Sequence, residues 1–217
     1  MIQVKICGVR NAAAYEAAAE AGADWVGLVF FVRSPRAVTP AGAAALVHSL
    51  DQGVLRSRGG PAVVGLFVEP TDEEIGAALG AVRLDVLQVY AQAARAVEIQ
   101  ARFGVPVWRS VGVGSAADLP ADAGGVAGLV VEPRAAAGAG RPGGNGVAME
   151  WGMLRGWEPG CLWVLAGGLD AGNVRRAVAE SGAGAVDVSS GVESAPGVKS
   201  ASLIRAFVGA VKEAVLF

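Results

Sequence analysis

Apolar runs of strand length recur along this chain, each followed by a stretch of helical character. They begin near Ile2, Trp25, Val63, Asp85, Val105, Leu129, Trp163 and Ala185. Between them lie alanine-rich segments such as NAAAYEAAAEAGA, TPAGAAALVHSL, PTDEEIGAALGA and AGNVRRAVAESGA. Helix starts are expected at Asn11, at Thr39-Pro40 and at Thr71 with Glu74 three residues on. Stops are expected at Gly22, Gly80 and Gly182. Near-continuous apolar strands alternating with amphipathic helices specify a parallel sheet covered by helices. Eight units within 217 residues suit a small (β/α)₈ TIM barrel, one domain spanning residues 1–217. A doubly wound sheet is the alternative, but the GxGxxG turn expected after its first strand is missing.

Composition narrows the function. A formal net charge of −2 with scattered basic residues argues against a nucleic-acid surface. Runs such as WVGLVFFV are too short to span a bilayer, and MIQVKICG has no leader-like apolar core. Cys7 and Cys161 form no CxxC or metal-ligand spacing, so a reducing, cytoplasmic location is expected. The single histidine, His48, falls in a helical stretch away from any strand end. Acid–base chemistry would therefore be carried by Asp, Glu, Cys or Lys.

In such a barrel the functional groups sit at the carboxyl ends of the strands. Taken in order, these ends carry Cys7, Ser34-Pro35-Arg36, Glu69, Tyr90, Arg109-Ser110 and Glu132. The seventh carries Gly167 and Gly168, and the eighth Ser189, Ser190 and Gly191. Glycine pairs and hydroxyls at consecutive strand ends expose backbone N–H groups, and a short helix start could follow, as in a phosphate site. Alternation places Lys5 and Gln3 on the inward face with Cys7, and Asp187 inward with Ser189. The first and last strands of a closed barrel are neighbours, so Lys5 and Asp187 are expected to form an ion pair. The ammonium should favour the Cys7 thiolate. Cys7 and Glu132 should then face each other across the mouth, a base and an acid suited to proton-transfer isomerisation of a phosphosugar.

The motifs KICG, GLVF with SPR, VGLFV, LQVY, GG-N-G with MEW, LAGGL and VDVSSGVESAPGVKS follow one another over essentially the whole chain. In this the sequence resembles the phosphoribosylanthranilate isomerase family of tryptophan biosynthesis. The resemblance implies a cofactor-free Amadori rearrangement of N-(5′-phosphoribosyl)anthranilate to its 1-deoxyribulose 5-phosphate isomer, with no metal, in a monomer or homodimer. It assigns the base to Cys7, a carboxylate-binding fork to Arg36, a substrate contact to Asp187, and phosphate-binding backbone to Gly168, Ser189 and Ser190. Two positions depart from the family pattern. Glu132 stands where an aspartate acid is usual, and Tyr90 stands where LQLHG would have histidine. The extra methylene could shift the acid by more than an ångström, a misplacement that can cost about 10²-fold in rate. Two further readings stay open: a phosphosugar-binding barrel without turnover, and a related aminoaldose-phosphate isomerase of the histidine-pathway type. The glycine-rich segment Pro133 to Gly146 is a candidate lid over the substrate.

Overall fold

The computed structural model describes residues 1–51, 60–135 and 148–214. Eight parallel strands close into a barrel in chain order: β1 (Gln3–Cys7), β2 (Trp25–Val29), β3 (Ala62–Val68), β4 (Val86–Tyr90), β5 (Val107–Val113), β6 (Gly128–Pro133), β7 (Leu162–Leu165) and β8 (Ala185–Val188). Period-two alternation divides their side chains. Val4, Ile6, Val26, Leu28, Val186 and Val188 join the layer packed beneath the helices. Trp25, Val64, Val86, Trp108, Val130 and Val164 fill the barrel interior, with Trp25 edge-on to Trp108 at 5.0 Å between centroids.

The described helices are α1 (Ala12–Ala21), α2 (Pro40–Asp51), α3 (Asp72–Ala81), α4 (Ala93–Phe103), α5 (Val174–Ser181) and α6 (Ala201–Glu213). Asn11 caps α1 by accepting from the Ala14 N–H at 2.9 Å, and Gly22 ends it at φ 85°. Thr71 and Glu74 form the expected capping box on α3. Gly182 stops α5 as expected, at φ 76°. Gly80 does not stop α3: it lies inside the helix, which ends where the extended Val82 turns into the core.

The barrel also departs from eight-fold regularity. Among the described residues, a three-residue 3-10 turn (Ala116–Asp118) follows β5 and a four-residue one (Trp151–Leu154) follows β6, in place of α-helices. Pro120, Gly124 and Gly125 interrupt any helix after β5, and the Asp118 carboxylate takes the Gly114 and Ser115 N–H groups at 2.8 Å. After β8 a 3-10 turn (Ser190–Val192) leads into a small antiparallel hairpin, β9 (Glu193–Ala195) and β10 (Val198–Lys199). The proposed lid segment lies outside the described residues from 136 onward. No described helix is long and apolar enough to cross a membrane.

Closure sets the register that matters most. Lys5 pairs with Asp187 on β8 and with Trp25 on β2. Lys5 is fully buried and its Nζ donates to Asp187 Oδ1 at 3.1 Å, the ion pair expected from alternation. An ammonium taken out of water needs such a partner. Lys5→Met should therefore lower unfolding stability by about 3–5 kcal/mol in urea denaturation at pH 7. Lys5→Met/Asp187→Leu should recover most of that loss, because it leaves no unpaired charge inside the barrel.

Candidate active site

Cys7 is the last residue of β1, and Gly8 follows at φ 80°. A Cβ at Gly8 would lie 2.6 Å from Arg36 Cδ, so the missing side chain lets the arginine cross the strand end. Arg36 comes from the loop after β2, where its N–H donates to Ser34 Oγ at 3.1 Å. Cys7 and Arg36 are 5% and 6% exposed. Both line a cleft of about 710 Å³, open mouth included, at the carboxyl ends of the strands.

Glu132 enters the same cleft from β6, 4% exposed. Burial pushes its carboxyl up to about 7; the Tyr90 hydroxyl pulls the other way by hydrogen bonding, and Asp187 repels the charge. Its Oε1 is buried with no hydrogen-bond partner among the described residues. The extra methylene has thus not carried the carboxyl out of the mouth. Tyr90, the last residue of β4, lines the same cleft. Burial raises the Tyr90 phenol well above its ordinary value, and the Glu132 charge adds to this.

Lys5 does favour the Cys7 thiolate, but burial is the larger effect and raises the thiol above its ordinary value. Asp187 raises it further, while Lys199 joins Lys5 in lowering it. Cys7 at rest is therefore a neutral thiol near pH 7.

The other expected residues fall unequally. Gly167, Gly168, Asp187, Ser189 and Ser190 all line the cleft. Gly191 does not; a Cβ there would lie 2.0 Å from the Leu169 carbonyl, so its glycine serves packing beneath the loop. Gly167 combines φ 91° with contact to Pro133, next to Glu132, where a Cβ would meet Pro133 Cδ at 2.1 Å. Arg109 and Ser110 are mid-strand, because β5 runs on to Val113; Ser110 is buried and accepts from Gln88 Nε2 at 2.9 Å. Glu69, exposed, is the one non-glycine residue at positive φ (45°) among those described, but it does not line the cleft. His48 is exposed on α2. Among the described residues no group of three or more His, Cys, Asp or Glu side chains could hold a metal ion.

Two important side chains were missed by sequence reasoning. Glu193 accepts from Arg36 Nε at 2.7 Å and Nη2 at 2.9 Å, a two-point pair. Lys199, its side chain 1% exposed, donates to Glu193 Oε1 at 2.8 Å and to the Ser189 carbonyl at 2.8 Å. Burial would raise the Glu193 carboxyl, but hydrogen bonds from Arg36 and Lys199 outweigh it and hold the group at about 2. Opposite charges flanking the Pro-Gly of ESAPGVK are the hairpin signal that could have revealed the pair.

Comparison with known proteins is consistent with this geometry. Residues 4–210 match the family model described as N-(5′-phosphoribosyl)anthranilate (PRA) isomerase. The N-(5′-phosphoribosyl)anthranilate isomerase of Acidiphilium cryptum is 51% identical over 214 residues, covering 99% of this chain and all (100%) of that one. The solved structure of monomers made from dimeric phosphoribosylanthranilate isomerase of Thermotoga maritima is 28% identical with a TM-score of 0.77, covering 98% of this chain and 100% of that one. A phosphoribosyl anthranilate isomerase bound to reduced 1-(o-carboxyphenylamino)-1-deoxyribulose 5-phosphate is 27% identical, with a TM-score of 0.78 and coverage of 98% and 100%. With its barrel, cleft and nearly full-length match, this chain belongs to the N-(5′-phosphoribosyl)anthranilate isomerase family.

Proposed function

We propose that this chain, acting as a single barrel domain in the cytoplasm, isomerises N-(5′-phosphoribosyl)anthranilate to 1-(o-carboxyphenylamino)-1-deoxyribulose 5-phosphate, with Glu132 as general acid and Cys7 as general base. The observation that carries the reading is that a buried carboxyl and a buried thiol, on β6 and β1, line one cleft. The loops after β7 and β8, with Gly167, Gly168, Ser189 and Ser190, form part of the same cleft wall and offer a seat for the phosphate. Gly191 supports that seat from below rather than touching substrate. A monomer or homodimer belongs to the same proposal; the Thermotoga maritima relative is described as dimeric.

Glu132 gives its proton to the ribose ring oxygen as the C1′–O bond breaks, leaving an open-chain iminium. Cys7 then takes the C2′ proton, the electron pair forms the C1′–C2′ double bond, and the iminium is neutralised to an enolamine. Tautomerisation, with a proton returned to C1′, yields the ketone. Arg36 holds the anthranilate carboxylate, and Asp187 faces the sugar. A carboxyl titrating near 7 is matched to proton donation at neutral pH. Cys7 acts from its ionised form, a minor state of the resting site, and the positive charge of the iminium stabilises that buried thiolate.

Cys7→Ala and Glu132→Gln should each lower kcat by about 10²–10⁴-fold while unfolding cooperatively, read from the fluorescence decay of substrate generated in situ. Ligand binding with no turnover by the parent protein would instead favour a binding barrel. The pH profile follows from the two positions. The competent form has Glu132 protonated and Cys7 ionised, the minor arrangement when the acid titrates near 7 and the base higher. The kcat/KM profile should therefore rise to an inflection at about pH 7, set by Glu132, and fall at alkaline pH as Cys7 titrates. Stability gives an independent check. Glu132 binds its proton more tightly folded than unfolded, so its contribution favours folding below its unfolded value and is lost as pH rises through about 7. Glu132→Gln should gain stability relative to the parent across that window, by up to about 3 kcal/mol in denaturant titrations.

A further inference from the structure

The loop carrying Arg36 and the hairpin β9–β10 meet through three buried charges. Glu193 takes the Nε and Nη2 edge of the guanidinium, at 2.7 and 2.9 Å. Lys199 holds the Oε1 side of that carboxylate at 2.8 Å. The Glu193 and Lys199 side chains are 5% and 1% exposed. Gly197, at φ 80° in the hairpin turn, packs so closely that a Cβ would lie 2.4 Å from the Pro35 carbonyl, one residue before Arg36. The hairpin is therefore seated on the arginine loop by backbone packing as well as by charge.

A guanidinium has two two-donor edges facing different directions, and Glu193 closes one of them. An incoming carboxylate cannot displace Glu193 without leaving Lys199 as an unpaired buried cation. It must use the donors that remain. The cluster of Arg36, Glu193 and Lys199 carries one net positive charge, which a single carboxylate balances.

Resting on the function proposed above, we propose that Glu193, locked by Lys199, is a positioning residue that fixes the Arg36 guanidinium so that its remaining donors receive the aryl carboxylate of the substrate. The same lysine extends the device. Lys199 Nζ also donates to the Ser189 carbonyl at 2.8 Å and lies 3.3 Å from Ser189 Oγ. Ser189 Oγ in turn donates to the Cys7 carbonyl at 3.1 Å. The hairpin thus sets the span between the carboxylate fork and the phosphate loop, and it ties both to the strand end that carries the base. A substrate is measured by the separation of its two anions.

The test is steady-state kinetics of Glu193→Gln with N-(5′-phosphoribosyl)anthranilate, together with competitive inhibition by anthranilate and by inorganic phosphate. The expected result is a KM raised about tenfold or more with kcat changed by less than about threefold. Inhibition by anthranilate should weaken by about the same factor, and inhibition by phosphate by less than about twofold. Equal weakening of both inhibitors would mark a structural role and overturn the proposal, as would an unchanged KM. If Glu193→Gln does not fold, Glu193→Asp keeps the charge with a drawn-back carboxylate. It should show the same split between inhibitors at smaller size, and an unchanged KM there would equally overturn the assignment. Absence of turnover by the parent protein would sink the functional reading alone, because the two inhibitors still report on the fork by binding.

Discussion

Everything at the mouth depends on how β8 meets β1. The pairing of Lys5 with Asp187 across that seam fixes which residues of both strands face inward. A shift of one residue would send Cys7 and Ser189 into the helix layer and bring Ile6 and Val188 to the cleft. The buried ion pair makes such a shift costly, because a displaced Lys5 or Asp187 would lose its partner and keep its burial. Register, the inward facing of Cys7 and charge compensation are thus one constraint.

The electrostatics of the cleft follow from burial before they follow from neighbours. Lys5 sits close enough to favour the Cys7 thiolate, yet desolvation dominates and keeps the thiol protonated. The same effect keeps Glu132 partly protonated near neutral pH, against the pull of Tyr90. A dry pocket thus favours the neutral form of both groups. Arg36, Glu193 and Lys199 behave differently: each charged group there has an opposite neighbour within hydrogen-bond distance, so burial does not neutralise them.

Much of this was legible in the sequence because it is local or periodic. Strand positions, the caps at Asn11 and Thr71, and the inward facing of Lys5, Cys7, Asp187 and Ser189 all come from alternation or short-range hydrogen-bonding patterns. Closure then brought Lys5 to Asp187 without further information. What stayed hidden depends on loops folding over one another. Arg36 and Glu193 are 157 residues apart in the chain, and no periodicity relates them. The length of β5 was misjudged because Arg109 and Ser110 read as an end, although the strand continues to Val113. Likewise, the sign of the Cys7 displacement needs the burial of the site, which a neighbouring lysine in the sequence does not convey.

Glu132 and Tyr90, the two positions where the sequence reads as departing from the expected pattern, both line the cleft. Glu132 on β6 and Tyr90 on β4 flank β5, whose buried Ser110 accepts from Gln88 and also stabilises the Tyr90 hydroxyl's ionised form. A longer carboxylate has more rotamers to lose, so a fixed partner has more to contribute than it would for aspartate. The Tyr90 hydroxyl lowers the Glu132 carboxyl by hydrogen bonding, and Tyr90 packs against the cluster of Cys7, Val29 and Leu66. A phenol held well above its ordinary pKa stays neutral, so Tyr90 adds no competing charge beside Glu132. The glutamate and the tyrosine therefore act on each other inside one cleft: the phenol's hydrogen bond lowers the carboxyl, and the carboxyl's charge raises the phenol.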